Sequence, residues 1–184
     1  MINLIISVLA WTATAFGFYL INFEIKYMPG SIYLNVLMAS VAESLAKPAA
    51  CIEINRCGLK KAYLVAFSLA CGGACMLMLS NGRYDTRLVT GLCIFVTKFG
   101  LSMAFMINYL AIVELFPTLF CATAAGMCNF LARLGTIFAP MIAEMTPPFP
   151  LLLLLFMGTT SGILTIFLQM PSAVPEKDDL KSKK

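Results

Sequence analysis

The stretch Leu88–Val113, LVTGLCIFVTKFGLSMAFMINYLAIV, runs for 26 residues with one charge, Lys98, and no proline. A helix rises about 1.5 Å per residue, so about 20 apolar residues cross the hydrocarbon core of a bilayer. This stretch therefore reads as a membrane span, and five comparable runs surround it: Met1–Phe23, Ile32–Ile54, Ala62–Ser80, Leu119–Met145 and Pro150–Met170. The connections between them are short and carry the charges, glycines and prolines. The pattern predicts an all-α integral membrane protein, a multi-pass bundle of six transmembrane helices over 1–171, followed by a charged tail over 172–184.

Composition agrees. Of 184 residues 60% are apolar and 12% charged, and the mean hydropathy is +0.89. A soluble domain spends about a quarter of its residues on charge. The chain has no histidine, which removes His-based general bases, Ser-His and Cys-His nucleophiles and most zinc sites. No enzyme activity, cofactor or metal is expected, and the +4 net charge, concentrated partly in the tail, implies no nucleic acid. The seven cysteines lie mostly in apolar runs at no zinc-ligand spacing and read as small packing residues.

Orientation follows from Lys and Arg in the loops. The connection after the second span and the tail hold Arg56, Lys60, Lys61, Lys177, Lys181, Lys183 and Lys184, against Lys26, Arg83 and Arg87 on the other side. Both termini are expected in the cytoplasm. Met1 then stands at the mouth of the first helix, and the chain reads as starting inside a longer architecture.

Local features follow the same logic. The small-residue runs Ser68–Cys75 and Ala122–Gly126 are expected to let helix backbones approach closely, with Gly72-Gly73 an alternative hinge. Pro48 and Pro140 are expected to kink the second and fifth helices.

Four charges fall in the middle of spans: Glu43, Lys47, Lys98 and Arg133. Each costs roughly 2.5 to 3.5 kcal/mol at the bilayer centre, so none is expected to face lipid. Glu43 and Lys47 stand four apart and can pair along one helix face. Three cations against one anion leave two positive charges to be balanced by an anionic ligand, by carboxylates on helices outside this chain, or in a ring of charge. Arg133 suits the first, because a guanidinium meets a carboxylate, sulfate or phosphate with two parallel hydrogen bonds. The ring-rich stretch Trp11, Phe16, Phe18, Tyr19, together with Tyr109, could wall a pocket for an organic body or pack against lipid and core.

The loops carry a resemblance. Asn55-Arg56-Cys57-Gly58-Leu59-Lys60-Lys61 resembles the Asp-Arg-x-Gly-Arg-Arg/Lys loop of the major facilitator superfamily. Glu114-Leu115-Phe116-Pro117-Thr118, followed by Ala125-Gly126, Ala132-Arg133-Leu134-Gly135 and Ala139-Pro140, is similar to the Glu-Leu-Tyr-Pro-Thr signature and following helix of its organic ion transporters, the solute carrier 22 group. Trp11, Ser31-Ile32-Tyr33-Leu34 and Thr97-Lys98-Phe99-Gly100 extend the likeness over almost the whole chain. It corresponds to the C-terminal six helices of a twelve-helix transporter.

The resemblance implies alternating-access transport of small organic ions across a lipid membrane, with the plasma membrane as the expected site. It implies a partner, an N-terminal six-helix half or another membrane subunit. It maps a cytoplasmic gate onto Arg56, Gly58 and Glu114, thinned by Asn55, Leu59 and Cys121 where the family has Asp, Arg and Arg. It matches Arg133 to an arginine of the organic-anion and carnitine-type members, Lys47 to a lysine of the anion members and Tyr19 to their pocket tyrosines. The expected substrate-binding set is thus Lys47, Arg133, Tyr19 and Lys98, for organic anions or zwitterions. A non-transporting structural or regulatory subunit, or an organic cation transporter, is the alternative.

Overall fold

The computed structural model describes residues 2–80, 87–146 and 148–168. Helix α1 is Ile2–Glu24, α2 Ile32–Cys57, α3 Leu59–Ser80, α4 Arg87–Leu115, α5 Thr118–Thr136, α6 Ala139–Ala143 and α7 Phe149–Ile166, with a 3-10 turn at Ile25–Tyr27. The described residues contain no strand. Five segments are long and apolar enough to cross a membrane: Ile2–Tyr27, Leu59–Leu79, Leu88–Leu115, Thr118–Ala143 and Phe149–Ile166. The 26 residues of α2 match them in length. Glu43, Lys47, Glu53 and Arg56 lower its hydropathy. The fold is a multi-pass, all-helical membrane bundle, and five of the six expected spans meet the apolar criterion outright.

Two expectations change in detail. The expected loop Asn55–Lys61 is nearly all helix: α2 continues to Cys57 and α3 starts at Leu59. Only Gly58 intervenes, at φ +81°, a conformation that L side chains rarely adopt, and its N–H caps the Ile54 carbonyl. The fifth span does not bend at Pro140. It breaks at Ile137 and Phe138, and Pro140 sits in the first turn of α6, where no N–H is required of it. Helix α2, by contrast, runs uninterrupted through Pro48. The expected tail 172–184 and Arg83 lie outside the described residues.

Small residues set the packing. Ala39, Ala42, Ala46 and Ala50 form a buried stripe along α2, which packs against α4. On the other side of α4, α3 comes so close that a Cβ at Gly100 would lie 2.7 Å from the Ala66 carbonyl oxygen. A Cβ at Gly73 would lie 2.6 Å from the Thr97 nitrogen, whereas Gly72 has open space around it. The Ala70, Gly73 and Ala74 side of the Ser68–Cys75 run is thus a packing face, as membrane helices without a hydrophobic drive between them require. Helix α1 packs against α5 and α7 and touches α4. Helices α1 and α4 therefore form a central pair, with α2 held on α4 and α5 held mainly on α1.

Candidate functional site

A cavity of about 360 Å³ opens where these four helices converge, lined by residues from α1, α2, α4 and α5. Phe18 and Tyr19 come from α1, Glu43 and Lys47 from α2, Ser102, Phe105, Met106 and Tyr109 from α4, and Arg133 from α5. Three of the four expected binding residues, Lys47, Arg133 and Tyr19, meet here although they are far apart in sequence. Phe105 and Tyr109 stand three and seven residues beyond Ser102, so all three fall on one face of α4.

The polar side of the cavity is already organised. Arg133 donates from Nη1 to the Tyr19 hydroxyl at 2.6 Å, and its guanidinium carbon lies 5.5 Å from the Tyr19 ring centre. Lys47 Nζ lies 3.6 Å from Glu43 Oε1, and both side chains are exposed by more than a third. It is the ion pair among the described residues. The i,i+4 pairing expected from the sequence is therefore present, at the cavity edge.

The apolar side is a chain of rings. Trp11 meets Tyr109 edge-on at 4.7 Å, Tyr109 lies 5.7 Å from Phe105, and Phe105 lies 5.6 Å from Phe18. Phe18 in turn meets Tyr19 edge-on at 5.7 Å. Such contacts fix ring orientation and present an apolar wall beside the charged groups.

Lys98 behaves differently from the other cations. It does not line the cavity, and its side chain is 1% exposed. Its Nζ donates to Asn22 Oδ1 at 2.7 Å and to the Phe18 carbonyl at 3.4 Å. The same Nζ stands 3.1 Å from the centre of the Phe18 ring. The buried charge makes its close contacts with an amide, a carbonyl and a ring face, and the Glu43 carboxylate acts on it from a longer distance. Lys98 thus sits behind a cavity wall and braces it.

The expected gate residues lie apart from the cavity. Arg56 is exposed in the last turn of α2 and Glu114 is exposed near the end of α4. They form no ion pair with each other among the described residues. Gly58 serves the α2–α3 corner described above. Nearby, Lys60 Nζ donates to the Ile166 carbonyl at 3.3 Å, a cation at the C-terminal end of α7 where the helix dipole favours it. Two of the altered positions make apolar contacts: Leu59 is fully buried, and Cys121 packs against the cluster that contains Trp11 and Cys128, whereas Asn55 is exposed.

Sequence reading missed Ser102, Phe105 and Met106. The signal was available, because they follow Lys98 by four, seven and eight residues and so share its side of α4.

No family model matches the chain. Among curated proteins it is 31% identical over 164 residues to solute carrier family 22 member 16 of Homo sapiens, covering 86% of this chain and 28% of that protein. It is 28% identical over 166 residues to solute carrier family 22 member 4 of Mus musculus, covering 89% of this chain and 30% of that protein. It is 25% identical over 179 residues to organic cation/carnitine transporter 2 of Homo sapiens, covering 96% and 32%. The chain therefore spans about a third or less of the length of these relatives.

Proposed function

We propose that this chain, which belongs to the solute carrier 22 group of the major facilitator superfamily, supplies the C-terminal wall of a pathway that moves small organic anions or zwitterions across a membrane. The observation that carries the reading is the convergence of Arg133, Lys47 and Tyr19 on one ring-walled cavity. Arg133 and Lys47 attract the anionic head, and Tyr19 holds the guanidinium. Phe18, Phe105 and Tyr109 receive the organic body. Glu43 offers the one carboxylate of the lining, so a zwitterion finds a partner for each end. Lys98 adds positive field from behind Phe18.

A six-helix wall needs an opposite wall for alternating access. The partner in this proposal is an N-terminal half, and the large side chains exposed on α5, among them Leu119, Phe120 and Phe130, are available to lipid or to that partner. In this proposal Arg56, Gly58, Glu114 and both termini, with the tail 172–184, lie on the cytoplasmic side of a plasma membrane, the side that an excess of loop cations favours. Arg56 and Glu114 then act as a gate that closes in another conformation, since exposed helix-end charges pair and separate at modest cost. No enzymatic step is part of this function.

The second reading, a membrane subunit that keeps the fold without transport, is favoured by the apolar burial of Leu59 at a position where the family carries a gate cation. Uptake of labelled benzoate by vesicles containing this chain with a co-expressed N-terminal half separates the two. Saturable uptake supports the transporter; none, with both chains inserted, supports the subunit.

A further inference from the structure

The hydroxyl of Ser102 is the buried group that the charges and rings of the cavity leave unused. Ser102 is 3% exposed and lines the cavity, yet its Oγ has no hydrogen-bond partner. Hydroxyls inside helices commonly bond back to a carbonyl one turn earlier. Thr97 on the same helix does so to Cys93, Thr14 does so to Ala10, and Ser40 does so to Val36. Ser102 does not. Of the buried side chains with unpartnered polar atoms among the described residues, it is the one in this cavity. A buried hydroxyl held away from water is unfavourable until something in the cavity pairs with it.

We propose that Ser102 is a specificity-determining residue, whose Oγ hydrogen-bonds a neutral polar group, a hydroxyl or carbonyl, carried on the organic body of the anion. The inference rests on the anion-site reading above and adds a third point of recognition to it. Arg133 and Lys47 select the head by charge, which any small carboxylate satisfies. The rings select bulk, and an apolar wall discriminates only weakly between a body with and without a hydroxyl. A buried hydrogen-bonding group discriminates strongly, because the analogue that lacks the matching group leaves it unpaired. The selectivity of this cavity among carboxylates of similar size is therefore assigned to Ser102.

The test uses Trp11 as a built-in reporter. It is the one tryptophan of the chain, 1% exposed, in edge contact with the cavity residue Tyr109. The full chain in lipid nanodiscs is titrated with hexanoate and with its 2-, 3-, 4-, 5- and 6-hydroxy derivatives, none of which absorbs where tryptophan is excited. One hydroxy position is expected to bind about tenfold tighter than hexanoate, the effect of one well-placed hydrogen bond. Ser102→Ala should erase that preference, bringing the favoured hydroxy derivative to the affinity of hexanoate, and Ser102→Thr, which keeps a hydroxyl, should retain it. If native protein binds hexanoate but no hydroxy derivative better, or if Ser102→Ala weakens all ligands equally, the assignment is overturned while the anion site stands. If native protein binds none of these carboxylates, the anion-site reading falls and the assignment with it.

Discussion

Arg133 on α5 and Tyr19 on α1 are joined by a 2.6 Å hydrogen bond, guanidinium to phenol. The bond uses one of the five donors of the arginine and leaves the others for a ligand. It also ties α5, which packs mainly on α1, to the ring wall.

Tyr19→Phe tests the value of that bond, because the ring remains and only the acceptor is lost. A net hydrogen bond at an accessible site is worth about 1 kcal/mol. The expected outcome is a benzoate KM raised about fivefold with the maximal rate retained; an unchanged KM would show that the bond does not hold Arg133 in its working position.

Glu43→Gln releases Lys47 from its partner 3.6 Å away. Both groups are well exposed, so the cost to stability should stay below about 0.5 kcal/mol. Anion affinity should rise, and affinity for zwitterions relative to simple anions should fall. Competition of carnitine against labelled benzoate reads both directions, and a parallel change in the two would remove Glu43 from the recognition of a cationic group.

Lys98 is buried against neutral acceptors, so its charge and its bulk have opposite consequences. Lys98→Ala should open a void and lower stability by about 2 to 4 kcal/mol. Lys98→Met fills the space and relieves the cost of burying an ammonium that has no carboxylate in direct contact, so its Tm should be close to native or above it. Both should weaken anion binding in similar proportion across ligands, since the residue acts through field and wall position. A selective loss for one ligand shape would instead put Lys98 in direct contact with substrate.

Gly100→Ala should separate α3 from α4, because the new Cβ would meet the backbone of Ala66 and Ala70. Backbone cannot step aside as a flexible side chain can, and a loss of insertion or of more than about 3 kcal/mol is expected. Gly72→Ala, with nothing within 4 Å, should be neutral. Thermal unfolding of the two variants in detergent distinguishes the packing face from the open side of α3.

The spans were legible in the sequence because bilayer thickness fixes their length and charge marks their ends; α1 and α4 differ from the expected runs by only a residue or two. That Arg133, Lys47 and Tyr19 would share one cavity was legible in part, the first two as charges too costly to leave in lipid and all three as matches to a transporter pattern. Lys98 was less so. Sequence shows that its charge is buried but not that Asn22 and the Phe18 ring receive it, since those contacts arise from the crossing of α1 and α4. Pro140 likewise marked a disturbance without saying whether the helix would bend or restart. Ser102 carried no charge to draw notice, and only its place in the assembled cavity gives it meaning.

In the proposed function Arg133 makes this cavity select for negative charge. Arg133→Asp reverses the charge at one exposed position without filling or emptying the core. The most direct measurement is uptake of labelled benzoate and of labelled tetraethylammonium by vesicles holding native or Arg133→Asp chain with the same N-terminal half. Benzoate uptake should fall at least tenfold and the preference should shift toward the cation. Benzoate uptake at the native level in Arg133→Asp would contradict that role.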